Sequence, residues 1–522
     1  MNVVLRRLSS PAPLLLAYAA AVALWSVPHL GWGGDDSMYV AHARALVEGW
    51  PYGNGHYVFS LESPHIGPPF YPPGTALLLA PVYAWAGWNL KALSLVMIAC
   101  LCIALGFVYG CLAMAEGAAM ALAVTALTAL NPYVIHFTTY VLSEFPFMLW
   151  LYGSLFLLLL RDRVAVSGPA ATGALSASIG LCIYFAYATR EVGALLLAAM
   201  ILRDALQREA RWARILPAAG VFLAGLAAQR ALLPDTSGFQ GIVRREILEV
   251  VLHEPTIVAR NIYRYAEDGL PQFFPGPRLL GGALSNLVLL AAVYGAIVRV
   301  RDAAALAAAR APAAKQGAVA LARSVPVDLW FLLAYSALLV SLPLAAGGGG
   351  RYLLPILPMR LWNAAAGARR AARGAGLAPA AGALATGLLL AYFAACLVAH
   401  PLSEDKALAA KGPLAAPAQE TFRAVARCVG ERDTVIFASP RILAIYSGRN
   451  ATAWPQDATP GRLERFLAQA AANYVLLATG PEDMGQPKDA AAAISAAGAA
   501  MIYSNADFAL YRIHPSKPGL PE

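Results

Sequence analysis

Two adjacent carboxylates, Asp35 and Asp36, stand just beyond the first apolar run of this 522-residue chain. Acids at the edge of a membrane span are costly and seldom idle. Neighbouring carboxylates repel, so their pKa values separate, which suits one proton acceptor and one permanent anion. Asp35 is the candidate general base. Asp36 is the candidate partner that orients an acceptor or helps to hold a divalent cation such as Mg²⁺ or Mn²⁺. A structural role competes with both: Asp is a favoured N-cap, and a helical pattern (Tyr39, Ala43, Leu46) follows at once.

A departing negative charge needs cations. Arg190 and Arg351 each adjoin an apolar run, where a central arginine would cost about 2.5–3.5 kcal/mol. An interfacial position with a phosphate partner relieves that cost, because a guanidinium grips phosphate oxygens as a fork. Lys91, at the start of another run, is the third candidate phosphate ligand. Snorkelling to lipid headgroups is the alternative for all three. Glu144, beside Pro146, either contacts sugar hydroxyls or satisfies helix-start amides. Tyr39, His65 and Tyr71 complete the candidate substrate-binding set. No H-x-x-H or H-E-x-x-H spacing occurs, so no zinc site is expected; His56, His65 and His136 otherwise read as solvated or packed histidines.

The elements that must position these groups are membrane helices. The chain is 59% hydrophobic and 13% charged, with a mean hydropathy of +0.58, more apolar surface than a soluble protein can bury. The net charge of +9 does not indicate nucleic acid, because the basic residues cluster between apolar runs. Five of the six cysteines lie in those runs, so no disulfide framework is visible. The first run follows Arg6-Arg7, is long, shows no obvious A-x-A cleavage site and reads as a retained signal-anchor.

Eleven spans are expected, near 11–30, 91–112, 118–131, 142–160, 170–189, 191–202, 215–233, 282–299, 325–345, 351–368 and 377–398. The loops at Arg6–Arg7, 161–163, 203–214, 299–323 and 369–373 carry sixteen basic residues, with five acids when the loop at Glu116 is included. All of them fall on the cytoplasmic side only if the short run 74–88, interrupted by Pro81, lies at the interface instead of crossing. The N-terminus is then cytoplasmic and the C-terminal region external. Asp35, Asp36, Lys91, Glu144, Arg190, Arg351 and the long loop 234–281 all reach the external face, although none entered the charge count.

Residues 400–522 change character. Strand patterns at 434–439, 474–479, 500–503 and 508–513 alternate with helical ones at 416–429, 460–472 and 487–498. A small external α/β domain is expected, without a G-x-G-x-x-G loop or nucleophile elbow, serving support or acceptor docking. Asn450-Ala451-Thr452 matches a glycosylation sequon but reads as an ordinary surface turn.

Gly34-Asp35-Asp36-Ser37-Met38-Tyr39, with Ala43 and Gly49, resembles the first external loop of the C-type-fold glycosyltransferases that use polyprenyl-phosphate sugars. That superfamily includes the protein O-mannosyltransferases and the aminoarabinose transferases. Phe70-Tyr71-Pro72-Pro73-Gly74, Ser143-Glu144, Thr189-Arg190-Glu191, Arg351-Tyr352-Leu353-Leu354-Pro355 and Phe508-Ala509-Leu510-Tyr511-Arg512 are similar to further pieces in the same order. The resemblance implies an inverting transfer from a polyprenyl-monophosphate-linked sugar to a glycan, lipid or protein acceptor, outside a bacterial inner membrane. It implies a transferase domain over 1–399, with a catalytic loop at 31–90, and an external domain over 400–522. Two departures stand out. Tyr71 occupies the place where aminoarabinose transferases carry a phosphate-binding Lys, and the second acid is Asp where Glu is frequent. A polyprenyl-diphosphate-linked glycan ligase or polymerase stays open through Arg244, Arg245, Arg260, Arg264 and Arg278. A polyprenol-linked flippase or transporter also stays open, although no inverted repeat is evident.

Overall fold

In lipid a backbone can satisfy its polar groups within one segment only as a helix, so the long apolar runs have one viable form. The computed structural model describes residues 11–28, 30–53, 55–58, 71–163, 169–206, 212–233, 256–310, 322–341, 349–399, 412–455, 459, 461–462, 466, 472–480, 484 and 486–513.

The helices run, in order, α1 (Ala12–Trp25), α2 (Asp35–Glu48), α3 (Pro73–Ala86), α4 (Leu90–Ala115), α5 (Ala118–Ala129), α6 (Pro132–Phe137), α7 (Glu144–Arg163) and α8 (Pro169–Thr189). They continue as α9 (Ala194–Ala205), α10 (Trp212–Leu232), α11 (Thr256–Arg264), α12 (Arg278–Arg310), α13 (Val327–Ser341), α14 (Gly349–Leu353), α15 (Leu357–Gly374) and α16 (Pro379–Ala399). Every one of the eleven expected spans falls on a helix. Six of these helices are long and apolar enough to cross a membrane: α4, α7, α8, α10, α12 and α16. Three more, α1, α5 and α13, are apolar but shorter. The expected spans 191–202 and 351–368 fall on a 3₁₀ turn leading into α9 and on a helix broken at Leu354–Ile356 before α15. The chain is therefore a polytopic helical membrane protein with a small sheet at its C-terminal end.

Two local features prepare the site. Gly34 caps α2 with a left-handed backbone (φ +74°), a conformation glycine adopts without steric cost. Pro73 occupies the first turn of α3, where its missing N–H costs nothing. A Cβ on the next residue, Gly74, would lie 2.6 Å from Thr189 Oγ1 and 2.7 Å from the Ala188 carbonyl. That glycine lets the start of α3 lie directly on the end of α8, bringing the proline turn beside Arg190.

The C-terminal part adds α17 (Ala416–Cys428), β1 (Thr434–Ile436), α18 (Pro440–Ser447), β2 (Asn450–Thr452), β3 (Ala472–Ala478), α19 (Ala490–Ala496), β4 (Ala500–Ser504) and β5 (Phe508–Arg512). The sheet order is β2-β1-β3-β5-β4; β1 is parallel to both its neighbours and β5 antiparallel to both of its own. The four expected strands match β1, β3, β4 and β5. The expected turn at Asn450-Ala451-Thr452 is instead β2, with Ala451 and Thr452 fully buried. Three residues are too few to display an alternating pattern, and pairing with β1 decides their conformation. Helix α18 was not anticipated either, and most of the expected helix 460–472 lies outside the described residues.

This sheet is sealed by the N-terminal part of the chain. Leu30 is buried in its core, and the Trp32 ring stands 6.0–6.4 Å from those of Phe422, Phe437 and Phe508. Ser439 Oγ donates to the Trp32 carbonyl at 2.6 Å. Backbone bonds from Val58 N to Ala451 O and from Ala451 N to His56 O lay the first loop along β2.

Candidate active site

The starts of α2 and α7, the residue after α8, the short helix α14 and one helix of the sheet region meet around Asp35. Arg351 Nη1 donates to Asp35 Oδ2 at 2.6 Å, and Arg441 Nη1 to Asp35 Oδ1 at 2.5 Å. The Tyr71 hydroxyl donates to the same Oδ1 at 2.7 Å and accepts a bond from Arg441. Behind this group, Glu144 Oε1 accepts from Arg190 Nη1 at 2.7 Å and from Arg351 Nε. Glu144 is 1% exposed, and its second oxygen, Oε2, has no partner among the described residues. Tyr39 packs edge-on to Tyr71 at 5.3 Å, and Arg190 lies 5.5 Å from the Tyr352 ring.

Each group comes from the end of an element or from a break in one. Asp35 opens α2, Glu144 opens α7, Arg190 is the extended residue after α8, and Arg351 lies in α14 just before the broken segment. Backbone amides are unpaired at the helix starts that Asp35 and Glu144 open, which favours an anion there, whereas the end of α8 before Arg190 presents unpaired carbonyls, which favour a cation. Arg441 is the second residue of α18.

Burial alone would raise the Asp35 pKa, but the guanidiniums of Arg351 and Arg441 and the Tyr71 hydroxyl outweigh it. They hold the carboxyl well below the ordinary range, so it stays ionised. Asp36 behaves oppositely. It is 2% exposed and accepts from Gly31 N (3.1 Å) and Ser37 N (2.8 Å), with Arg441 acting on it only at range. Burial raises its pKa to about 7 despite those bonds. The two carboxylates thus differ in pKa, chiefly through what each faces.

Of the residues singled out from sequence, the structure brings together Asp35, Tyr39, Tyr71, Glu144, Arg190 and Arg351. Asp36 is turned into the turn that precedes α2, and neither carboxylate acts as an ordinary N-cap, the cap being Gly34. Lys91 is elsewhere: its ammonium donates to the carbonyls of Ala23 and Ser26 at 2.5 and 2.6 Å, closing the end of α1. His65 lies outside the described residues, as does 234–255 of the long loop. Arg441 was missed, and nothing in its own neighbourhood of sequence marks it.

Among the described residues, the donors at the acidic pair do not by themselves make a Mg²⁺ or Mn²⁺ site. Asp35 is enclosed by two cations and a phenol, and Asp36 by backbone amides. Among the described residues no group of three His, Cys, Asp or Glu could hold a metal ion. A hard cation needs several free oxygens converging on one point.

The chemistry available is clear from the charges. Three guanidiniums against two carboxylates leave one net positive charge beside an ionised carboxylate. A carboxylate has about four lone-pair sites, and described partners fill three of those on Asp35, leaving one on Oδ2. Arg351 keeps Nη2 free of described partners, and Arg190 keeps Nε and Nη2. The centre can take an O–H or N–H on the carboxylate and an anion on the arginines.

Fold and site together define a polytopic membrane protein with an acid–arginine centre at its helix ends. The fold is that of ArnT from Cupriavidus metallidurans bound to undecaprenyl phosphate: 98% of this chain aligns with 99% of that one, with a TM-score of 0.52 and 13% sequence identity. It is shared by the archaeal oligosaccharyltransferase AglB from Archaeoglobus fulgidus, in complex with an inhibitory peptide and a dolichol-phosphate. There 97% of this chain aligns with 75% of that one, with a TM-score of 0.53 and 14% identity. No family model and no curated protein sequence matches the chain.

Proposed function

We propose that this chain is an integral membrane glycosyltransferase. It moves a sugar, with inversion at C1, from a polyprenyl-monophosphate-linked donor to a hydroxyl or amine acceptor at the outer face of a bacterial inner membrane. The contact between Asp35 and Arg351, with Arg351 tied through Glu144 to Arg190, carries this reading. It sets a proton acceptor beside cations that retain free donors, at the ends of membrane helices. The polyprenyl phosphates bound in the ArnT and AglB structures support the choice of donor class.

The acceptor O–H binds the open lone pair of Asp35 Oδ2. Its oxygen attacks C1 from the face opposite the phosphate while the C1–O bond to phosphate breaks, and that electron pair leaves with the phosphate. The acceptor proton passes to Asp35 and then to water. A carboxylate held this far below the ordinary range is a weak base, so the proton moves late, once bond formation has made it acidic. Positioned bases contribute on the order of 10²–10⁴ in rate. The leaving phosphate gains one negative charge, which the net positive charge of the cluster favours in the transition state over the ground state. Arg190 and Arg351 supply the phosphate contacts for which relatives carry a Lys before the proline pair. Here that place, Tyr71, orients Asp35 instead.

Residues 1–399 form the transferase domain in this reading and 400–522 the external one, with the N-terminus cytoplasmic. Purified protein in nanodiscs, given a synthetic polyprenyl-phosphate sugar and a mixed set of acceptors, tests it. Transfer with an inverted anomeric centre is expected. Transfer from a diphosphate donor alone would make the protein a ligase or polymerase, and lipid scrambling without transfer would make it a flippase; either outcome overturns the proposal.

A further inference from the structure

Among the described residues, Arg441 is the side chain of the C-terminal α/β unit that enters the charge cluster. Arg441 reaches Asp35 and Tyr71 together, and its guanidinium lies 5.9 Å from the Tyr71 ring centre. Its side chain is 13% exposed. Its backbone is pinned on both sides. Ser439, two residues earlier, holds the Trp32 carbonyl, and a Cβ on Gly34 would stand 3.0 Å from the Arg441 Cβ. Behind it, Tyr446 of the same helix stacks on Trp88 at 5.7 Å, and Leu30 and Trp32 complete the core of the sheet. Moving this unit moves the arginine. A detached support or docking module would not send a buried cation into the charge cluster of another domain.

Resting on the transferase reading above, we propose that Arg441 is a positioning residue for the transfer step, so that the docked C-terminal unit completes the catalytic centre. Arg441 and Tyr71 occupy Oδ1, which leaves Oδ2, steadied by Arg351, as the oxygen that meets the acceptor. Without Arg441 only the Tyr71 hydroxyl, itself freed from its guanidinium partner, remains on Oδ1, so the carboxylate is held less firmly and loses one of its two cations. The other groups in its field are Arg351 and Tyr71 in direct contact, Asp36 on its own helix, and Tyr39, Arg190 and Glu144 around the same pocket. Tyr71 shares Oδ1 with Arg441, and none of these groups supplies a second cation there.

A positioning role shows as a split between kcat and KM. Arg441→Ala should lose about tenfold or more in kcat, with the KM for a polyprenyl-phosphate sugar changed less than about threefold. Arg351 and Tyr71 still hold the Asp35 carboxyl low without Arg441, so the loss persists across the working pH range. Arg441→Lys, which keeps the charge but not the fork, should fall between wild type and Arg441→Ala. Gly34→Ala, which crowds the arginine without removing it, should lower kcat in the same way. The full-length protein in nanodiscs is used throughout, with limited proteolysis to verify docking of the C-terminal unit. A kcat equal to that of wild type in both Arg441→Lys and Gly34→Ala would overturn the proposal even if Arg441→Ala failed to fold. A wild type that transfers nothing would instead overturn the transferase reading, so the two failures are distinguishable.

Discussion

Replacing Asp35 by Asn tests the centre of the mechanism most directly. The amide is nearly isosteric, but it cannot take a proton and it turns an N–H₂ toward donors where the carboxylate presented two acceptors. If Asp35 is the base, kcat falls by about 10²–10⁴, equivalent to about 2.7–5.5 kcal/mol of barrier. Donor binding moves the other way or not at all. Arg351 spends one of its donors on Asp35 and would be released toward the phosphate. Folding stability falls by about 1–2 kcal/mol, because charge-assisted bonds are lost from a side chain that is 32% exposed and therefore partly screened. Single-turnover transfer from a labelled polyprenyl-phosphate sugar at saturating acceptor gives the rate, and equilibrium binding of the same donor gives the affinity. A rate within tenfold of wild type would refute Asp35 as base. A normal rate with weak donor binding would place it on the phosphate side.

Arg351→Ala should raise the donor Kd more than the acceptor KM, and a pure acceptor defect would contradict its phosphate role. Glu144→Ala leaves Arg190 and Arg351 facing each other without their shared counter-ion; a stability loss of about 3–5 kcal/mol is expected by thermal unfolding, together with loss of transfer. Asp36→Asn should keep more than a tenth of wild-type turnover, because this carboxylate faces the amides of Gly31 and Ser37; a loss as deep as that of Asp35→Asn would bring Asp36 into the chemistry. EDTA should leave transfer unchanged, since the donor set around Asp35 suits no hard cation, and a loss restored by Mg²⁺ or Mn²⁺ would contradict that reading.

Several features were legible before any fold was known because they are local. Each apolar run falls on a helix, though with ends shifted by several residues and with 351–368 broken at Leu354–Ile356, since length and hydropathy favour helix in lipid. The charge balance of the loops required Asp35 and Arg351 on one side, and they stand 2.6 Å apart. Other features could not be read. Lys91 adjoins a run just as Arg190 does, yet it reaches the open carbonyls of α1, and no pattern in either segment announces that pairing. Asp35 and Asp36 are identical side chains about 100° apart around a helix. Which of them faces the arginines depends on where α2 lies, and that depends on Gly34 and on the unit packed over it.

The order and type of the elements, the membrane class and most members of the charge cluster belong to the sequence itself, because backbone satisfaction and hydrophobic length act within a segment. The division of labour between the two acids and the entry of Arg441 from 406 residues away belong to the tertiary structure alone. Burial, orientation and neighbouring charge set the behaviour of an ionisable side chain, and all three are properties of where it lies in space rather than of where it lies along the chain.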